Sequence, residues 1–407
     1  MKIFKFFITK IFLRKAILCI SMFMLLCLAN YTTFIASRSI LSTLQGYQEI
    51  KCMNQEGIFI ANLDPDSNID MDIIGETGTR IVYDYLNSNH KYAFYTDGFM
   101  IAVPNDDDME ISLCYMNEGY YELNQFDISH GNDLFFDFQL DKEEAIPVLI
   151  GTGLSKTYPV GSTIIIDEPV LGRSVILKVQ GVLKQNSCHS NFYALNSKSY
   201  YNFSIFMPVN QEFIENANID LQLNGLMDLI ILDTTKEKTE DLSRFMYDNL
   251  GLKFNFFSQE ENFDYFNDYY LYSLKIIAIT TLILLVVITC ISIWNALVSI
   301  RLMMKDFTIN LLVGLSYSRL RRIFYSYFGI LFGVNLLVIS SITALNRYEC
   351  WLRKDATFVT YGLFGLIGMD WLALLVVLFS DIIIGMIVVE SMLRKIKKIP
   401  ISLGVLQ

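Results

Sequence analysis

Three stretches of this sequence run past twenty residues without one charged side chain: 16–37, 276–300 and 323–346. A fourth, 371–389, is interrupted only by Asp381. An α-helix rises about 1.5 Å per residue, so about 20 apolar residues cross the hydrocarbon core of a bilayer. A soluble core helix has no need of such lengths. The chain is therefore expected to be a membrane α-helical protein with four transmembrane helices.

Basic residues set the expected orientation. The N-terminal tail carries Lys2, Lys5, Lys10, Arg14 and Lys15 and no acid. Between the second and third apolar runs lie Arg301, Lys305, Arg319, Arg321 and Arg322 against Asp306 alone. The C-terminal tail carries Arg394, Lys395, Lys397 and Lys398. All three flanks are expected in the cytoplasm, so both termini are inside. Residues 38–275 then lie outside, and they hold 36 Asp and Glu against 15 Lys and Arg, a net of −21. The first run resembles a signal peptide at its basic start. Its length, and the poor cleavage site at Ile35, Ala36 and Ser37, point to an uncleaved anchor.

The expected organisation is a cytoplasmic tail (1–15), a first span (16–37) and a large extracytoplasmic domain (38–272). A second span (273–300), a cytoplasmic segment (301–322) and a third span (323–346) follow. A short outer loop (347–367), a fourth span (368–392) and a basic tail (393–407) complete it. The domain inserted between spans one and two reads as mixed α/β. Short β-like runs recur at 57–60, 146–150, 162–166 and 229–232, and 175–183 alternates at period two near its middle. A helix is expected near 235–250: Thr234 and Glu237 have capping-box spacing, Leu242, Phe245, Met246 and Leu250 share a face, and Gly251 stands at the C-cap. Residues 259–272 run into the second span without a helix breaker and extend that helix outward.

Several motifs suggest sites that their chemistry does not support. Asp64, Asp66, Asn68, Asp70 and Asp72 resemble a calcium loop, but Ile69 occupies the position where the sharp turn needs glycine. Asp106, Asp107 and Asp108 read as a solvated loop. Cys188 and His189 are adjacent, which is too little for a metal. The outward cysteines Cys52, Cys114, Cys188 and Cys350 leave a disulfide open without fixing a pairing. No catalytic residue, cofactor site or metal site is expected, and no nucleic-acid partner. None of the 22 glycines precedes a lysine, so the Gly-x-x-x-x-Gly-Lys loop that cradles nucleotide phosphates is absent from the sequence. Within the spans, Asp381 is costly in apolar surroundings and is expected to face other helices, near Asn30, Asn295 or Asn335.

The segment 301–316 reads Arg-Leu-Met-Met-Lys-Asp-Phe-Thr-Ile-Asn-Leu-Leu-Val-Gly-Leu-Ser. It resembles the cytoplasmic motif of the MacB/FtsX-like ABC transporter permeases, roughly Arg-x-x-x-Lys-Glu-Ile-Gly-Ile-Leu-Arg-Ala-Leu-Gly-Ala-Ser. Lys305, Ile309, Gly314 and Ser316 match, and Asp306 and Val313 match in kind. Thr308, Asn310 and Leu311 depart. His130-Gly131-Asn132-Asp133, 146–151, 159–164 and 179–183 follow the order of that family's outer core domain. Ile399-Pro400-Ile401-Ser402-Leu403 is similar to its ending.

The resemblance implies a non-catalytic permease subunit in the cell membrane, paired with a second permease chain and a separate ABC ATPase. Its cargo would be peptide, lipophilic or lipoprotein. The ATPase-coupling residues would be Arg301, Lys305, Asp306, Phe307, Leu311, Leu312, Gly314, Leu315 and Ser316. Phe307, Leu311, Leu312 and Leu315 are expected to form one apolar stripe, Gly314 to end the helix, and Ser316 or Ser318 to cap the next. Two rivals remain at this level: an FtsX-like regulator of a cell-wall hydrolase, and a membrane receptor without an ATPase.

Overall fold

The computed structural model describes residues 2–9, 16–67, 74–104, 110–140, 144–191, 194–354 and 359–398. The second half of the calcium-like loop, the run Asp106 to Asp108 and the ending at 399–403 lie outside them. In chain order the helices are α1 (Lys2–Phe7), α2 (Ala16–Ile50), α3 (Glu76–Asn89), α4 (Glu118–Asn124), α5 (Gln211–Asn216), α6 (Ile219–Met227), α7 (Lys236–Leu250), α8 (Gln259–Tyr265), α9 (Tyr272–Leu312), α10 (Tyr317–Arg353) and α11 (Gly368–Lys398). The strands are β1 (Phe59–Leu63), β2 (Lys91–Ala93), β3 (Tyr95–Ala102), β4 (Glu110–Met116), β5 (Ile128–Gly131), β6 (Ile146–Ile150), β7 (Thr163–Glu168), β8 (Arg173–Leu183), β9 (Cys188–Asn191), β10 (Ala194–Tyr200), β11 (Ser204–Pro208), β12 (Ile230–Leu232) and β13 (Phe254–Phe257).

The chain divides into two compact units. One comprises 1–42, 272–346 and 362–407; the other comprises 43–271 and 347–361. Among the described residues, four helices are long and apolar enough to cross a membrane, the second of them continuous from Gln259 to Leu312. Each outruns the uncharged stretch that announces it, because polar residues continue the helix beyond the apolar limit.

In the helical unit, α10 turns Leu320, Phe324, Phe328 and Leu331 inward at spacings of three and four. They meet Ala296, Ile300, Met303 and Phe307 of α9 and Ile384, Val388 and Met392 of α11 in one apolar cluster. The residues that alternate with these are apolar too. Ile279, Leu282, Ile283, Val286 and Val287 of α9 stand exposed, the pattern of a helix whose outer face meets lipid or another apolar surface.

The other unit is mixed α/β. Its larger sheet runs β3-β4-β11-β6-β8-β5, with β7 paired to β8. Strands β4 and β11 pair in parallel, as do β6 and β8, and the remaining pairs are antiparallel. In β8 the buried Val175, Leu177 and Val179 alternate with exposed Ser174, Ile176 and Lys178, the alternation that a half-buried strand requires. β11 is buried throughout and reads as an unbroken apolar run. The smaller sheet, β13-β1-β12-β2, shares one core with α3 and α7.

Helix α7 ends where the sequence places its stop, with Gly251 in the left-handed region at φ 68°. Its start differs from expectation. The N-cap is Thr235, whose side chain makes no capping bond, and Thr234 is buried. The reciprocal capping box sits instead at the start of α8, where Ser258 and Glu261 satisfy each other's backbone donors. Between α8 and α9 the helix widens into a π-helical turn, Phe266–Leu271.

Gly151 follows β6 at a tight backbone crossing. A Cβ there would stand 1.8 Å from the carbonyl oxygen of Tyr201 and 2.4 Å from that of Asn202. Backbone cannot retreat as a side chain can, so Gly151→Ala should destabilise this unit by about 2–3 kcal/mol. Gly75→Ser, in open space at the N-cap of α3, should cost nothing. Protease resistance of the full-length protein on heating, in detergent, checks the pair. Equal resistance in the two variants would contradict the crossing.

Candidate functional site

The segment singled out by the sequence is the end of α9, the turn after it and the start of α10. Helix α9 closes through Gly314, whose φ of 100° suits glycine alone. The amide of Val313 reaches the carbonyl of Ile309, and that of Leu315 reaches the carbonyl of Asn310. The Ser316 hydroxyl accepts from the Arg319 amide at 3.3 Å, which caps α10. Ser318 takes no part in that bond.

The expected single apolar stripe divides in two. Phe307 is fully buried, its ring stacked on Phe7 at 6.0 Å and edge-on to Phe324 at 5.6 Å. Leu311 and Leu315 are half-buried against the same cluster. Leu312 lies about 100° round the helix from Leu311 and faces outward. It is 59% exposed and Val313 is 83% exposed. With Leu302 and Ile309 they form a second, outward apolar face. Arg301, Lys305, Arg319, Arg321 and Arg322 stand exposed around it, and Asp306 is half-buried. The turn is thus anchored on its inner side and presents apolar side chains ringed by cations on its outer side.

The intramembrane polar residues separate into distinct arrangements. Asn30 donates to the Asp381 carboxylate at 3.0 Å, and both residues are buried. Asn295 is bonded elsewhere, donating to the Ser21 hydroxyl at 2.7 Å. The Asn335 side chain has no hydrogen-bond partner among the described residues, and neither has the second Asp381 oxygen.

Two polar links in the same unit escape sequence reasoning. Arg38 pairs at 3.2 Å with Asp370, which is fully buried and also accepts from the Ile367 amide at 3.0 Å. Asp370 belongs to the first turn of α11, and an acid in a first helical turn is the local signal that could have found it. Glu390 accepts from Arg321 at 2.8 Å and from the Tyr325 hydroxyl at 3.1 Å.

In the α/β unit, half-buried Cys188 joins a polar cluster, while the His189 ring lies against Tyr95 and Tyr120. The Cys188 thiol donates to Glu49 at 3.2 Å, and the Lys198 ammonium reaches Glu49 at 3.0 Å and the Ser190 hydroxyl at 3.1 Å. Burial, with the Glu49 charge adding to it, pushes the thiol up to about 12. Burial lowers the His189 pKa below its usual value. A thiol held protonated is a poor metal ligand and a poor nucleophile. Among the described residues no three His, Cys, Asp or Glu side chains are grouped to hold a metal ion. Asp64, from the calcium-like loop, is engaged with Lys253 at 2.8 Å.

No protein-family model matches this sequence, and no curated protein does. Solved structures share a weak similarity with it. One is the extracellular domain of the noncanonic ABC-type transporter YknZ from Gram-positive bacteria, at 18% identity and a TM-score of 0.30. It matches 49% of this chain and all of that one. Another is the periplasmic region of MacB from Actinobacillus actinomycetemcomitans, at 14% identity and a TM-score of 0.31. It matches 53% of this chain and 94% of that one. Similarity this slight leaves function to be argued from the chain's own residues.

The Asn30–Asp381 bond yields a double-mutant test. Asp381→Asn retains a hydrogen-bonding partner and should leave stability nearly unchanged. Asp381→Leu leaves the Asn30 amide alone among apolar helices and should cost about 1–2 kcal/mol. Adding Asn30→Leu to it should recover part of that loss. SDS-induced unfolding in mixed micelles reads these variants and Asn30→Leu alone, and strict additivity of the two leucine substitutions would contradict the pairing.

Proposed function

We propose that this chain is the permease subunit of a MacB/FtsX-like ABC transporter, seated in the cell membrane with both termini in the cytoplasm. A separate ATPase subunit hydrolyses ATP, and this chain converts that cycle into movement of its extracytoplasmic α/β unit. A second permease chain completes the assembly, and the exposed apolar face of α9 is a surface on which it, or lipid, packs. The work suits extraction or export of a peptide, lipophilic or lipoprotein cargo from the outer side. Within the expected spans the charged residues are Lys275, Asp370, Asp381 and Glu390, and all but Asp381 stand near the span ends, not the line of charges usual in an ion path.

The observation that carries this reading is the α9–α10 turn. Its inner side is fixed through Phe307, Leu311 and Leu315, so force on its outer side passes into α9 and α10 rather than into a loose loop. Its outer side offers Leu302, Ile309, Leu312 and Val313 within a ring of cations. Burying one leucine of that size against a partner contributes about 1.5–3 kcal/mol. The phosphate-binding loop that the sequence lacks is supplied by the partner.

Coupling and sidedness are tested separately. Leu312→Glu replaces an outward apolar contact by a charge, and Gly314→Val forces a β-branched residue into a backbone conformation it avoids. Both variants should insert and fold, and both should lose at least about tenfold in permease-stimulated ATP hydrolysis, as the loss of 1.4 kcal/mol or more implies. Purified complex in lipid gives the rate, with copurification scored beside it. Undiminished stimulation in both variants would remove the turn from the coupling path.

For sidedness, Cys114 is 1% exposed and cannot report. Cysteines placed at the exposed positions of Lys238 and Arg319 can. In intact cells an impermeant maleimide should label Lys238→Cys and should reach Arg319→Cys only after permeabilisation. The reverse pattern would invert the topology.

A further inference from the structure

The last turns of α10 and the stretch that follows belong to the α/β unit: residues 347–361 cluster with 43–271. Val359 is 1% exposed and joins the main core of that unit. Trp351 packs its ring on Phe203 at 5.0 Å and on Tyr361 at 5.4 Å.

Two asparagines hold this segment by its backbone. Asn186 donates through Nδ2 to the Tyr361 carbonyl at 2.8 Å and accepts through Oδ1 from the Tyr361 amide at 3.1 Å. One side chain thus satisfies both peptide groups of one residue, as a neighbouring strand would. Gln185 donates to the same carbonyl at 2.9 Å. Asn202, 1% exposed, divides its amide hydrogens between the Val359 carbonyl at 2.8 Å and Asn186 Oδ1 at 3.0 Å. Its own Oδ1 accepts from the Asn186 amide at 3.0 Å.

The support beneath this clasp is rigid. Asn186 is held at φ 61°, and the Asn202 carbonyl accepts from the Gly153 amide at 2.8 Å. Further along the same segment, Ser190 and Lys198 hold Glu49 at the end of α2. Residues 184–202 therefore grip two separate stretches of chain, the end of α2 and the stretch that returns to α11.

We infer that Asn186 and Asn202 are positioning residues, which fasten residues 359–361 so that displacement entering at 362–370 is passed to segment 184–202. A connecting loop left in solvent would give these peptide groups to water instead. The inference extends the coupling reading, but its test involves no ATPase, so the two can fail separately.

The test is hydrogen exchange, followed by mass spectrometry, on the full-length chain in lipid nanodiscs. Asn202→Asp keeps the side-chain volume and removes both donors. Asn186→Gly keeps the left-handed backbone at ease and removes the side-chain bonds. Each should raise exchange at 359–361 by about tenfold or more, since at least two hydrogen bonds are lost, while β6 stays protected as the control for folding.

Transmission is read at 188–200. Asp370→Asn, which loosens the start of α11, should raise exchange there severalfold when the clasp is intact and add nothing in the Asn186→Gly background. Arg38→Gln serves as the second perturbation should Asp370→Asn lose β6 protection. Unchanged exchange at 359–361 in both clasp variants would overturn the hold. An equal response at 188–200 with and without the clasp, or none in either, would overturn the transmission.

Discussion

The α/β unit draws part of its core from outside the residues inserted between the first two long helices. Val359 completes it, arriving after α10, with Trp351 packed alongside. Main-chain polar groups carried into such a position must be satisfied there. The clasp of Asn186 and Asn202 meets that demand, with Gly151 and Gly153 leaving room for the backbone that supports it. The chain therefore passes between the two units at four places rather than two.

The helical unit answers a different constraint. In hydrocarbon every backbone polar group is paired within its own helix, so only side chains remain to set how helices associate. Here they do so sparingly. Asn30 with Asp381 and Ser21 with Asn295 lie deep, while Arg38 with Asp370 and Arg321 with Glu390 stand toward helix ends. The Tyr327 hydroxyl donates to the Cys19 sulfur at 3.2 Å, and apolar packing surrounds Phe307, Phe324 and Phe328. Through Phe307 that packing reaches directly under the α9–α10 turn.

Local chemistry was legible in the sequence and distant pairing was not. The long helices, the alternation in β8, the stop at Gly251 and the turn at Gly314 each follow from a residue and its near neighbours. The Thr234 expectation fails because α7 starts one residue later, with Thr235 at the N-cap and Lys238 rather than an acid at the third helical position; Ser258 caps a different helix, α8. Leu312 was placed with Leu311 because spacing alone does not say which of two adjacent leucines turns inward. Asn186 and Asn202 gave no signal, since the carbonyls they bind lie far along the chain. Asp370 was readable as an acid in a first helical turn, but its partner Arg38 was not.

The central claim is that the α9–α10 turn touches an ATPase. A photoactivatable phenylalanine analogue in place of Val313, the most exposed apolar residue of the turn, tests it in living cells without purification. The account predicts a protein adduct whose partner, identified by mass spectrometry, carries the Gly-x-x-x-x-Gly-Lys loop that this chain lacks. Adducts with lipid alone, from a protein that is inserted and folded, would contradict it.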